Sequence, residues 1–185
     1  VSQLIDLPTR RVEAWKYSDL RAAVGNSVQF VLSRDRAAPE VTSAHERAGV
    51  IGALAVQTDN VETLDVPSGE TIIRVDQPAA GANLAPRLLD VSIAPGATLV
   101  RVVAQAVSGG VVLDAASVRV GVGATFRQFV LAEGGRLARV ETHVSVEGEG
   151  ANIELNGAYL VGAGKHADLT SVITHKAPNA TTRQL

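Results

Sequence analysis

VSIAPGATL at residues 91–99 returns as VRVGVGATF at 118–126 and again as VSVEGEGANI at 144–153. The Gly-Ala pair within it moves from Gly96-Ala97 to Gly123-Ala124 to Gly150-Ala151, two equal steps of 27 residues. A constant period of this size is the signature of a stacked repeat. Each pair follows a β-branched alternation: Val91 and Ile93, Val118 and Val120, Val144 and Val146. Each precedes a short strand-like run, TLVRVV, TFRQFV or NIEL.

Within those runs Leu99, Phe126 and Ile153 hold one position, and Thr98, Thr125 and Asn152 hold the position before it. Neighbouring side chains on a strand point to opposite faces. The spacing therefore predicts an inner apolar column and an outer polar column, with successive coils roughly 4.8 Å apart. Glycine at the corner admits a positive φ, and alanine is small enough to stack on its own copy. Ser108-Gly109-Gly110 and Gly134-Gly135 supply a second turn per repeat. Two strands per coil describe a flattened, two-sheet parallel β-helix. An antiparallel sandwich with evenly spaced turns is the rival architecture; it has no reason to keep the inner column in phase.

A chain of 185 residues holds one sizeable domain, and a hydrophobic content of 46% with only 3% aromatic residues calls for an aliphatic core. The net charge of −2 offers no basic field for nucleic acid. Absence of cysteine removes disulfides, thiolate catalysis and sulfur ligation of metals from this sequence. No apolar run is long enough to span a membrane as a helix, and a cytoplasmic location is expected.

Three regions follow: a helical segment over 1–24, a β-rich lead-in over 25–85, and the parallel β-helix over 86–185. Thr9 is the expected N-cap of a helix near 10–16, with Val12 and Trp15 on one face. Ser18-Asp19 reads as a second N-cap, opening a short turn through Leu20 and Val24. Trp15, Lys16 and Tyr17 are candidates for packing or for partner contact. In the lead-in, 27–32 and 71–75 read as strands, 44–48 as a helical turn, and 49–56 as helix or strand. Pro67-Ser68-Gly69 and 78–81 are turns. A fourth corner follows Val172 and Thr174 after a longer step, with Ala180 in the alanine position and Thr182 in the inner column. We expect the solenoid to be cut within a coil at Leu185. Its open end would then be available to a second copy or to another chain.

Pro8-Thr9-Arg10-Arg11, with Glu13, Trp15-Lys16-Tyr17-Ser18 and Leu20, resembles the PTRR-x-E-x-WKY-[TS]-x-L motif of SufD-type iron–sulfur cluster assembly proteins, in the SufB/SufD family. The stretch 135–161, then His166, Asp168, His175, Ala177-Pro178 and Thr182-Arg183-Gln184, is similar to the middle of that family. The resemblance implies a right-handed parallel β-helix and a non-catalytic scaffold subunit. It implies a SufB-like subunit and a SufC-like ABC ATPase as partners. It also implies an iron–sulfur cluster at the level of the complex, with no cofactor held by this chain.

Other chemistry is weaker. His166, Asp168 and His175 could supply nitrogen and oxygen ligands to a borderline metal, but they share no phase in the repeat. His143 alternates with Val144 and Val146 and faces away from them. Glu147 and Glu149, with Glu141 and Glu154, would supply a carboxylate pair for a polysaccharide-acting β-helix; Glu147 and Glu149 flank Gly148 at a corner, where a solvated turn explains them. A polysaccharide-binding or polysaccharide-acting β-helix is therefore the alternative function. No P-loop glycine-lysine spacing occurs, and Gly162-Ala163-Gly164-Lys165 is a turn.

Overall fold

The alternation before each Gly-Ala corner and the run after it form separate strands that lie in two different sheets. The computed structural model describes residues 7–25, 48–78, 86–106 and 109–185. Ten strands occur in it: β1 (Val61–Val66), β2 (Thr71–Asp76), β3 (Arg87–Ile93), β4 (Thr98–Gln105), β5 (Val111–Val120), β6 (Thr125–Ala132), β7 (Leu137–Val146), β8 (Asn152–Tyr159), β9 (Ala167–His175) and β10 (Thr181–Gln184). Odd strands stack in the order β1-β3-β5-β7-β9 and even strands in the order β2-β4-β6-β8-β10. Every pairing within both sheets is parallel. The fold is a flattened β-solenoid.

The predicted columns are present. Thr98, Thr125, Asn152 and Thr181 are register partners, and so are Leu99, Phe126, Ile153 and Thr182. Leu99, Phe126 and Ile153 are completely buried, whereas Thr98, Thr125 and Asn152 are half-buried on the outer side. Gly96, Gly123 and Gly150 take φ of 69°, 61° and 70°, the left-handed region that a Cβ disfavours. Ala97, Ala124 and Ala151 stack in the interior. The same register includes an earlier coil, since Ile72 pairs with Leu99 and Gly69 also turns with positive φ. Among the described residues the stack thus extends back to Val61, upstream of residue 86. Glu70 occupies the alanine slot of that coil, which hides the repeat there.

Between the sheets lies a main apolar core of Leu89, Val91, Ile93, Leu99, Val118, Phe126, Val144 and their neighbours, with a smaller separate cluster of Val103, Val130 and Val140. A second core covers the outer face of the odd sheet. There Leu88, Val111, Leu113, Ala115 and Leu137 meet Leu7, Trp15, Leu20, Val24, Ile51 and Leu54. The helices contributing to it are α1 (Leu20–Val24) and α2 (Gly49–Gln57). This second layer explains why β5 and β7 are buried on both faces, unlike a half-solvated sheet.

The N-terminal segment departs from its expectation. No α-helix covers 10–16; a 3₁₀ turn forms over Glu13–Trp15, and its N-cap Val12 makes no side-chain cap bond. Thr9 closes the preceding turn instead, its carbonyl accepting from the Val12 amide at 3.0 Å. Val12 and Trp15 consequently do not share a face: Val12 is exposed and Trp15 is buried. At the second cap Asp19 accepts from the Ala22 amide at 2.9 Å and starts α1. The ambiguous run at 49–56 is helical. The strand at 71–75 and the turn at Pro67-Ser68-Gly69 are present, the Glu70 amide donating to the Pro67 carbonyl at 3.1 Å. The expected strand at 27–32, residues 44–47 of the expected helical turn, and part of the 78–81 turn lie outside the described residues, as does His45.

Candidate functional site

The WKYS stretch and the second half of the solenoid meet on the outer face of β7 and β9. Strand alternation puts Val140, Thr142 and Val144 inside, so Arg139, Glu141 and His143 project outward under the N-terminal layer. Arg139 is the hub. Its guanidinium donates to Glu141 Oε1 at 2.6 Å, to Asp168 Oδ2 at 2.7 Å and to the Ala14 carbonyl at 2.7 Å. It also lies 4.1 Å from the Trp15 ring centre, a cation–π stack. Ser18 Oγ donates to Asp168 Oδ2 and lies 3.0 Å from His166 Nε2. His143 Nε2 is 3.0 Å from Glu141 Oε2.

Trp15, His166 and Asp168 are therefore brought into one cluster, together with Ser18, Arg139 and Glu141. His175 is elsewhere, 3.0 Å from Thr182 Oγ1 on the exposed rim between β9 and β10. Asp168 is occupied by an arginine and a serine, and among the described residues no group of three His, Asp or Glu side chains could hold a metal ion. Trp15 faces the core, but Lys16 and Tyr17 are exposed on the other side of the turn. The Lys16 ammonium is 2.7 Å from Glu13 and 5.2 Å from the Tyr17 ring centre. The hydrogen bond to Glu13 raises the Lys16 pKa.

A second polar constellation lies inside the solenoid. Arg101 is completely buried and donates to Asp76 Oδ2 at 2.7 Å, Asp114 Oδ2 at 2.8 Å and Gln128 Oε1 at 3.0 Å. Gln128 passes the chain on to Thr142 Oγ1 at 2.8 Å. Towards the first coil, Arg74 and Arg87 bridge Asp76 to Glu62. Burial pushes the Asp76 carboxyl up, but Arg101 and Arg87 outweigh it and bring it down to about 2. Glu62 is also held below the usual carboxylate range, chiefly by its hydrogen bond to Arg74.

These arrangements orient and lock the side chains they join. In both, each carboxylate faces guanidinium groups held by further hydrogen bonds, the geometry of structural ion pairs. Glu147 and Glu149 sit on the exposed corner before β8. Glu147 accepts from Ser145 Oγ at 3.2 Å, and Glu149 from Asn179 Nδ2 at 2.7 Å. Sequence reading missed Arg139 and the whole inner network, and it gave Ser18 and Glu141 other roles, a helix cap and a member of an acidic group. Arg139 stands in the odd-strand row beside Asp168, and only knowledge of that register would have paired them.

Residues 45–185 match the family model described as SUF system FeS cluster assembly, SufBD core domain. No curated protein and no solved structure matches the chain.

Proposed function

Because the chain belongs to the SUF system FeS cluster assembly family through its SufBD core domain, we propose that it is a SufD-type, non-catalytic scaffold subunit. The observation that carries this reading is the family match over 45–185, a region that contains all ten described strands of the solenoid. It is supported by the WKYS motif being built into that solenoid through Trp15, Ser18 and Arg139. In this reading the iron–sulfur cluster is cargo of a complex, and its thiolate ligands come from outside this sequence, which contains no cysteine. The partners are a SufB-like subunit and an ABC-type ATPase of the SufC kind, met in the cytoplasm. No helix among the described residues is long and apolar enough to cross a membrane.

In this reading the chain acts through protein contact. The test is co-purification of the tagged chain with SufB-like and SufC-like proteins expressed together. Stable recovery of both is expected, and recovery of neither removes the reading.

A further inference from the structure

The N-terminal segment meets the solenoid as a bound peptide meets a groove. Its backbone hydrogen bonds close on the segment itself. The Val12 amide donates to the Thr9 carbonyl at 3.0 Å, Trp15 to Val12 at 2.8 Å, Ser18 to Trp15 at 2.9 Å and Arg21 to Pro8 at 3.3 Å. Among the described residues no backbone–backbone hydrogen bond joins 7–25 to a strand. Anchors make the contact instead. Trp15 stacks on the Arg139 guanidinium, the Ala14 carbonyl accepts from Arg139, and Ser18 Oγ reaches Asp168 and His166. Trp15 is 1% exposed and Tyr17, two residues on, is 75% exposed, so the segment has an anchored side and a solvated side.

The receiving face is complete without the segment. Arg139 keeps Glu141 and Asp168, Glu141 keeps His143, and Asp168 also accepts from Thr170 Oγ1 at 3.0 Å. Lifting the segment therefore strands no charge, which is the penalty that holds a buried ion network closed. It frees the Ala14 carbonyl and the Ser18 hydroxyl, both of which water can serve, and uncovers a planar guanidinium next to Leu137 on the outer face of β7. We propose that this face of β7 and β9 is a peptide-binding surface, and that residues 7–25 are a clasp occupying it reversibly in cis. The partner that it takes when the clasp lifts is a segment of the same chemistry. Such a segment offers an aromatic ring to stack on Arg139, the carbonyl before it to accept from that guanidinium, and a hydroxyl three positions on for Asp168 and His166.

In hydrogen-exchange mass spectrometry of the full chain, the amides of 7–25 should exchange through an opening of their own, about 100-fold more readily than those of β5 and β7. Ser18→Ala should raise exchange across the segment by about 10-fold and leave β5 and β7 as they were. A fluorophore-labelled synthetic peptide of residues 7–25 is then titrated onto the full chain and followed by anisotropy. The added peptide competes with the clasp, so its apparent affinity scales with the open fraction. The Ser18→Ala protein should bind it about 10-fold more tightly than the parent does. Trp15→Ala in the full chain, with β5 and β7 exchange as the check on the solenoid, should bind it more tightly again. A peptide carrying Trp15→Ala should bind about 100-fold more weakly than the parent peptide. Exchange of the segment in step with β5 and β7 overturns the proposal, and so do segment amides with no protection at all. A Ser18→Ala protein that matches the parent in segment exchange or in peptide affinity overturns it as well, as does a peptide that neither variant binds.

Discussion

Replacing Arg101 by methionine tests whether the polar chain inside the solenoid is a structural element. Methionine keeps much of the volume and removes the charge, taking from Asp76 and Asp114 the buried cation nearest to both and leaving them to share Arg87, 2.7 Å from Asp76 but 3.7 Å from Asp114. Both are buried, and Asp114 Oδ1 already lacks a hydrogen-bond partner. Breaking a buried ion network by deleting one member costs about 3–5 kcal/mol, a large part of the ~5–15 kcal/mol of a typical domain. The pH dependence adds a second signature. Asp76 has a folded value of about 2 against 3.8 for an unperturbed carboxyl. That gap is worth roughly 2 kcal/mol at ~1.36 kcal/mol per pK unit. Because the folded value is the lower one, this stabilisation is complete above the unfolded value and disappears as the pH falls towards 2. Urea titrations followed by far-UV circular dichroism between pH 2 and 7 measure both effects. The parent should lose stability below about pH 4. Arg101→Met should be less stable at pH 7 by the amount above, and its acid transition should move to higher pH. Adding Asp114→Asn to Arg101→Met should recover part of the loss. A loss under about 1 kcal/mol at pH 7, or a parent whose stability is flat down to pH 2.5, refutes the reasoning.

Arg139→Ala should cost about 3–5 kcal/mol, because Glu141 and Asp168 lose their common cation. It should also shift the emission of Trp15, the single tryptophan, to the red as that ring loses its stacked partner; an unchanged spectrum and stability would show that the N-terminal segment is held by other contacts. Gly148→Ala should destabilise the fold by several kcal/mol on the scale of severe backbone strain, since a Cβ there would lie 2.0 Å from the Val122 nitrogen. Gly162→Ala, with nothing within 4 Å, should be close to neutral, and thermal melts of the pair separate the two outcomes. Phe126→Ala should cost about 3–5 kcal/mol by opening a cavity in the inner column; a melting temperature within a few degrees of the parent would contradict the stacked core.

The N-terminal expectations show where local signals stop. Thr9 is a good cap type and Val12 and Trp15 have helical spacing, yet the chain makes a single 3₁₀ turn. Burying Trp15 against Leu113 and Leu137 while Ala14 offers its carbonyl to Arg139 gains more than a two-turn exposed helix would. At Asp19 the cap and the short helix agree with tertiary packing, and there the local reading succeeds. The 71–75 run was legible as a strand but not as the first coil, because Glu70 replaces the corner alanine. Trp15, His166 and Asp168 were singled out separately from their residue types. Their meeting depends on contacts across roughly 150 positions of chain, which no local pattern encodes.

By itself the sequence determined the period, the corners and the apolar inner column, because each depends on interactions between identical positions in successive coils. Such repetition is written directly into the order of residues. Only the tertiary structure decided which face of each strand is inside where the pattern is ambiguous. In TLVRVV valines flank an arginine, and burial of Arg101 depends on Asp76 and Asp114 arriving from the neighbouring coil and the opposite sheet. A charge goes inside only when its counter-charges are already there. That condition is set by the packing of distant strands, and it is also what turns Val100 and Val102 outward.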